Sequence, residues 1–128
     1  MINVVDETTK TKETLFEILE TTGALKFGDF TLASGAKSKY YIDLRIIPNF
    51  PEQFDKMTDE AVKYIQKTFP EVEGIVGIPM AAIPYGTIIA YKLKKPYYIL
   101  RKESKDHGLK KCLRGQLKKG KKFFLLMI

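Results

Sequence analysis

Tryptophan is absent from these 128 residues, cysteine and histidine occur once each, and no apolar run is long enough to span a bilayer. Each scarcity excludes something. A single cysteine, Cys112, cannot close an internal disulfide. The opening "MINVVDETTK" has no basic stretch followed by an apolar one, so it does not read as a signal peptide. No repeat or low-complexity tract is visible. With neither signal nor disulfide, the expected setting is cytoplasmic, with no membrane partner. The apolar fraction of 45% and charged fraction of 29% are those of a globular protein rather than a disordered one. A single domain over 1–128 is expected.

What is plentiful is positive charge, and it is unevenly placed. The net charge is +7, but residues 92–122 alone carry +11 and the preceding 91 carry −4. A basic block this local points to an anionic partner: nucleic acid, a membrane surface or a phosphate-rich small molecule. The plainer reading is a solvated lysine-rich face.

The periodicity predicts an α/β domain. Residues 9–22 place Leu15, Phe16, Ile18 and Leu19 on a helical face, with Gly23 as the stop. "FGDFTLASG" and "KYYIDLR" read as two short strands joined at Ser34-Gly35. Pro48 marks a connection. From Pro51 onward Phe54, Met57, Ala61, Ile65 and Phe69 recur at helical spacing until Pro70. "GIVGI", 74–78, is a buried-type strand. "PMAA" follows, Pro84 opens a second helix, and "PYYIL" and "KKFFLLMI" are further strands. Strands alternating with helices imply a mainly parallel sheet, whose ligands bind beyond the strands' carboxyl ends. "PMAA" and "RKESKDHG" both fall there.

"RKESKDHG" sets out Arg101, Lys102, Lys105, Asp106 and the only histidine, His107, directly after an apolar strand. A guanidinium offers a fork to phosphate, ammonium groups act as point charges, and an imidazole changes charge near neutrality. Taken singly, a loop lysine or histidine is ordinarily just solvated; taken as one block after a strand, these residues suit a grip on something heavily anionic. "GQLKKGKK", 115–122, imitates a phosphate-cradling loop, but it lacks the Ser or Thr that would hold magnesium and precedes a strand instead of following one. It is read as a turn.

Three blocks, "FGDFTLASGAKSKYYIDLR", "GIVGIPMAAIPYGTIIAYKL" and "RKESKDHG", together resemble the orotate phosphoribosyltransferases, of the type I phosphoribosyltransferase family. The resemblance implies an N-terminal helix and hood strands over 1–47 and a core α/β part over 48–128. It implies transfer of the 5-phosphoribosyl group from 5-phosphoribosyl 1-pyrophosphate to orotate, giving orotidine 5′-monophosphate and pyrophosphate in pyrimidine synthesis. Magnesium is implied as the cofactor, carried by the pyrophosphate and ribose of the substrate, with no protein metal ligands expected. A homodimer sharing the basic loop between subunits is also implied. Lys105, Asp106 and His107 match the family's catalytic loop, and Arg101, Lys102, Lys105 and His107 its phosphate contacts. The backbone near Tyr41 and Ile42 matches the orotate contacts, and Met80, Ala81 and Ala82 the pyrophosphate loop.

The sequence departs from the family pattern in places. Ala33 and Ala81 stand where relatives carry lysine, with Lys37 and Lys39 near enough to the first to substitute. The chain stops at Ile128, where an acidic pair and a Thr- and Gly-rich loop for the ribose and 5-phosphate are expected. The expectation is therefore a truncated member, lacking the C-terminal part of the sheet and having little or no activity. Two alternatives stand beside this. One is a non-catalytic basic module for nucleic acid using Tyr97, Tyr98 and the lysines; it accounts for the charge but not for the order of the three blocks, so nucleic acid is not the favoured partner. The other is a different phosphoribosyltransferase or regulatory relative.

Overall fold

The computed structural model describes residues 4–100, 113–114 and 120–128, and the chain divides into two compact units, Met1–Met57 and Thr58–Ile128, within one helix.

In the first unit, helix α1 spans Val4–Thr22 and is followed by the antiparallel strands β1, Leu25–Thr31, and β2, Lys37–Ile42. The helix ends as its sequence suggests: Gly23 takes φ +73°, a left-handed conformation costly for a residue with a Cβ. Its inward stripe is narrower than the clustering of apolar residues suggests. Ile18 is buried and Leu15 and Leu19 are half-buried, but Phe16, one residue out of step with the three- and four-residue spacing, is exposed. The strand register shifts between Phe27 and Phe30, the mark of a bulge. A 3-10 helix at Leu44–Asn49 follows, where the sequence indicated only a connection, and it buries Ile47 completely.

Helix α2, Pro51–Thr68, leads into the second unit. Its half-buried or buried face is the expected one, with one addition: Thr58 is fully buried, its hydroxyl accepting a 2.8 Å hydrogen bond from Lys92 Nζ. A polar residue on an apolar face escapes a hydrophobicity pattern, although burial is tolerable once the hydroxyl is bonded.

The sheet of this unit has the order β5-β4-β3-β6, with β3 at Gly74–Gly77, β4 at Tyr97–Leu100, β5 at Leu113–Arg114 and β6 at Phe123–Leu126. β4 and β6 run parallel to β3, and the short β5 runs antiparallel to β4. The mainly parallel sheet is thus as expected; β5, at two residues, carried no sequence signal. Helix α3, Ala82–Leu93, crosses from β3 to β4 and buries Ala82, Tyr85, Gly86, Ile89 and Ala90. It starts two residues before Pro84, which sits in the first turn, where a missing N–H costs nothing. It stops at Leu93 because Lys94 turns left-handed (φ 56°) just ahead of Lys95-Pro96, while the Lys94 ammonium lies 4.1 Å from the Tyr91 ring centre. Among the described residues, no helix is long and apolar enough to cross a membrane.

Candidate functional site

β3 ends at Gly77 with its neighbours aligned beside it, Gly77 against Ile99 of β4 and against Leu126 of β6. The chain then turns through Ile78–Ala81 into α3. The turn is tied at both ends: Ile78 N–H donates to Leu126 O (2.8 Å), and Ile83 N–H donates to Met80 O (3.1 Å). The peptide between Pro79 and Met80 is cis. Ala81, at the helix N-cap, has no side-chain hydrogen bond to the first turn. Met80 is exposed, Ala81 half-buried and Ala82 buried. The structure therefore brings Met80, Ala81 and Ala82 together at the carboxyl edge of a parallel sheet, with a helix N-terminus behind them.

β4 runs to the same edge and ends at Leu100. β5 begins there, Leu100 pairing with Leu113 and Ile99 with Arg114. Arg101, Lys102, Lys105, Asp106 and His107 lie outside the described residues. The residues that bracket them, Leu100 and Leu113, are nevertheless a strand pair at the edge that carries the Ile78–Ala81 turn.

Tyr41 and Ile42 end β2 in the first unit, both exposed. The Tyr41 ring packs on Phe30, with centroids 5.7 Å apart. Ala33 sits in the exposed turn between the strands, closed by Leu32 N–H to Ala36 O and Gly35 N–H to Leu32 O, both 2.8 Å. The two lysines considered as stand-ins there are already engaged: Lys37 Nζ donates to Thr31 Oγ1 at 2.8 Å, and Lys39 pairs with Asp29. Both pairs are solvent-exposed, so they weigh little energetically.

Asp43 and Arg45 are not the simple surface pair that their sequence allows. Asp43 is buried and caps the 3-10 helix. Its carboxylate accepts from Arg45 N (3.2 Å), Nε (2.8 Å) and Nη2 (3.2 Å), with Lys26 Nζ 3.8 Å away. The Arg45 side-chain hydrogen bond holds its carboxyl below the ordinary aspartate range, against the opposing effect of desolvation. This is a structural anchor for the end of β2, whose Asp43 N–H also donates to Ala24 O at 2.8 Å.

Sequence reasoning placed Tyr97 in the strand "PYYIL" and, in the alternative reading, on a nucleic-acid surface. Its ring fills the gap left by two glycines: a Cβ on Gly86 would lie 2.7 Å from Tyr97 Cε2, and one on Gly77 would lie 2.9 Å from Tyr97 Oη and 2.7 Å from Ala82 O. The hydroxyl thus reaches the junction of β3 and α3, where it is buried without a hydrogen-bond partner. Burial raises its pKa, and the adjacent Gly77 backbone only partly offsets that, so it stays a protonated donor. The available signal was "GIVG" and "PYG", two glycines facing a strand that begins with tyrosine.

The chain is similar to known proteins over most of its length. No protein-family model matches the chain. The orotate phosphoribosyltransferase of Methanocella arvoryzae is 37% identical over 112 residues, 88% of this chain and 62% of that protein. The orotate phosphoribosyltransferase of Streptococcus agalactiae serotype III is 40% identical over 97 residues, 76% of this chain and 46% of that protein. The structure of Leishmania donovani UMP synthase superposes with a TM-score of 0.74 at 26% identity, over 91% of this chain and 24% of that one. The chain spans about half the length of the curated relatives it matches. Over the residues it shares with them, the chain belongs to the orotate phosphoribosyltransferase family.

Proposed function

We propose that this chain carries the pyrophosphate-side machinery of a phosphoribosyl transfer, from 5-phosphoribosyl 1-pyrophosphate to orotate, yielding orotidine 5′-monophosphate and pyrophosphate. The observation that carries the reading is the meeting of the Ile78–Ala81 turn and the Leu100–Leu113 strand pair at one carboxyl edge of the sheet. In this reaction negative charge accumulates on the departing pyrophosphate while the ribose turns oxocarbenium-like. The protein's task is placement and electrostatic stabilisation more than covalent chemistry. The N–H groups of Met80 and Ala81 and the N-terminus of α3 face the anion, and the small side chains of Ala81 and Ala82 let it approach the backbone. Arg101, Lys102, Lys105 and His107 supply cations to the leaving group, with Lys105, Asp106 and His107 acting nearest the reacting bond. The backbone at Tyr41 and Ile42 takes orotate.

Among the described residues, no three His, Cys, Asp or Glu side chains group to hold a metal ion. In this reading magnesium arrives on the oxygens of the sugar diphosphate, the way this ion usually meets phosphate substrates. A cytoplasmic homodimer sharing the 101–108 segment completes the proposal.

Calorimetry at physiological salt tests it with magnesium pyrophosphate and with a single-stranded oligonucleotide of equal charge. Pyrophosphate is expected to bind better. Tight oligonucleotide binding with a steep salt dependence, and no heat from pyrophosphate, would overturn the reading in favour of a nucleic-acid module.

A further inference from the structure

The two edges of the β5-β4-β3-β6 sheet differ in how they are protected. At one edge β5 is two residues long and includes Arg114, a short, charged edge that templates another strand poorly. At the other lies β6, whose one neighbour among the described residues is β3. Its register is uninterrupted from the Gly74–Phe123 pair to the Gly77–Leu126 pair, so no bulge turns it aside. From Phe123 to Ile128 no residue is charged and none is proline. Leu125 is 50% exposed and Met127 75% exposed. β6 thus has none of the charge, proline or bulge that usually guards an edge strand.

The backbone groups on that edge are self-complementary. Leu126 O is turned to β3, accepting from Ile78 N–H at 2.8 Å, and Lys122 O accepts from Glu73 N–H at 2.9 Å. Backbone direction alternates along a strand, so the N–H and C=O of Phe123 and Leu125, and of Met127 next in line, are turned away from β3. Laid antiparallel on a second β6 about a two-fold axis at Leu125, each finds a partner. Leu125 exchanges both hydrogen bonds with Leu125 of the second copy, and Phe123 does the same with its Met127. The facing side chains are then Leu–Leu and Phe–Met, both apolar, the second a sulfur–aromatic contact. The pairing occupies the same edge in both copies, so the assembly closes at two.

Charge selects this arrangement over an in-register parallel one. Lys121 and Lys122 precede β6. Parallel pairing sets Lys122 beside Lys122, whereas the antiparallel register sets it beside Ile128 and leaves the two lysines about 20 Å apart at about 3.4 Å per residue. That is well beyond the screening length of about 8 Å in physiological salt.

We infer that β6 is a self-association edge, where two copies of this chain join antiparallel at Leu125 into one continuous sheet. The contact involves one short strand per copy, less than the about 800 Å² per partner of a standard interface, so association is weak and concentration-dependent. It is independent of the anion site and of any sharing of the 101–108 segment.

Sedimentation and residue-resolved amide exchange of the 128-residue chain over a concentration series test this. The expected result is a monomer giving way to a dimer, with the Phe123, Leu125 and Met127 amides slowing as the dimer forms and those of Phe124 and Leu126 unchanged. L125K and L125E each set like charges together at the two-fold axis and are expected to lose the dimer. Mixed in equal amounts, they are expected to regain it, because opposite charges then meet. A monomer at every concentration overturns the inference and leaves the edge to a different polypeptide. A dimer that persists in both variants, no recovery on mixing, or growth beyond two copies also overturns it. If the variants do not fold, exchange in the unsubstituted chain decides alone: a Leu125 amide that does not slow with concentration overturns the inference.

Discussion

In the β1–β2 pair, Phe27 is 79% exposed and its cross-strand partner Tyr40 55% exposed, whereas in the β3–β4–β6 sheet Tyr98 is only 8% exposed. Tyr98 meets Phe123 edge-on at 5.1 Å across Gly74, where a Cβ would come within 2.8 Å of the tyrosine ring. The difference is in how each region is held. The hairpin relies on its strand ladder, a bulge, exposed ion pairs and the Asp43–Arg45 anchor at its end. The sheet relies on close packing, with glycines placed where aromatic rings need room. A hairpin alone is marginal in water, while a sheet covered by a helix is a stable unit. Where packing dominates, volume changes should be costly; where polar anchors dominate, pH and charge should matter more.

The largest effect should come from the sheet. Ile75, fully buried at the centre of β3, loses both its transfer energy and its neighbours' contacts in I75A, an expected destabilisation of about 2–5 kcal/mol in urea unfolding. A cost below about 1 kcal/mol would mean that this region is not closely packed.

An intermediate effect is expected at Asp43. D43A removes a cap and an Arg45 partner, for about 1 kcal/mol. The sign of the pH dependence follows from the lowered carboxyl pKa. The contribution of Asp43 is complete above its unfolded value of about 3.9 and is lost as pH falls through the lower folded value. The stability gap between the unsubstituted chain and D43N should therefore be constant from neutrality to about pH 4 and narrow below it. A gap that widens on acidification would reverse the assignment.

The smallest effect should be on the hairpin face. F27S is expected to change stability by no more than about 0.5 kcal/mol, because little of the ring is buried. A loss comparable to that of I75A would show that the face is covered in solution, and a sedimentation experiment on the same protein would reveal whether a second copy covers it.

Helix α2, the buried strand β3, the Gly23 stop and the alternation of strands with helices were legible in the sequence because each depends on local periodicity or on one residue's conformational range. So was the position of "PMAA" at a strand's carboxyl end, which follows once element order implies a parallel sheet. The 3-10 helix at Leu44–Asn49 was not, since a segment containing Pro48 reads as a break until Ile47 finds a buried seat and Asp43 a role as cap. Nor was the two-residue β5, whose existence depends wholly on pairing with β4. The same division holds at the site. Residue types and order in the sequence determined which side chains suit a phosphate-rich substrate. Only the tertiary structure decided that the turn and the Leu100–Leu113 pair share an edge, that Lys37 and Lys39 are already partnered, and that the Tyr97 ring fits between Gly77 and Gly86. Those facts depend on contacts between residues far apart in the chain, and periodicity carries no information about which distant glycine will make room for which ring.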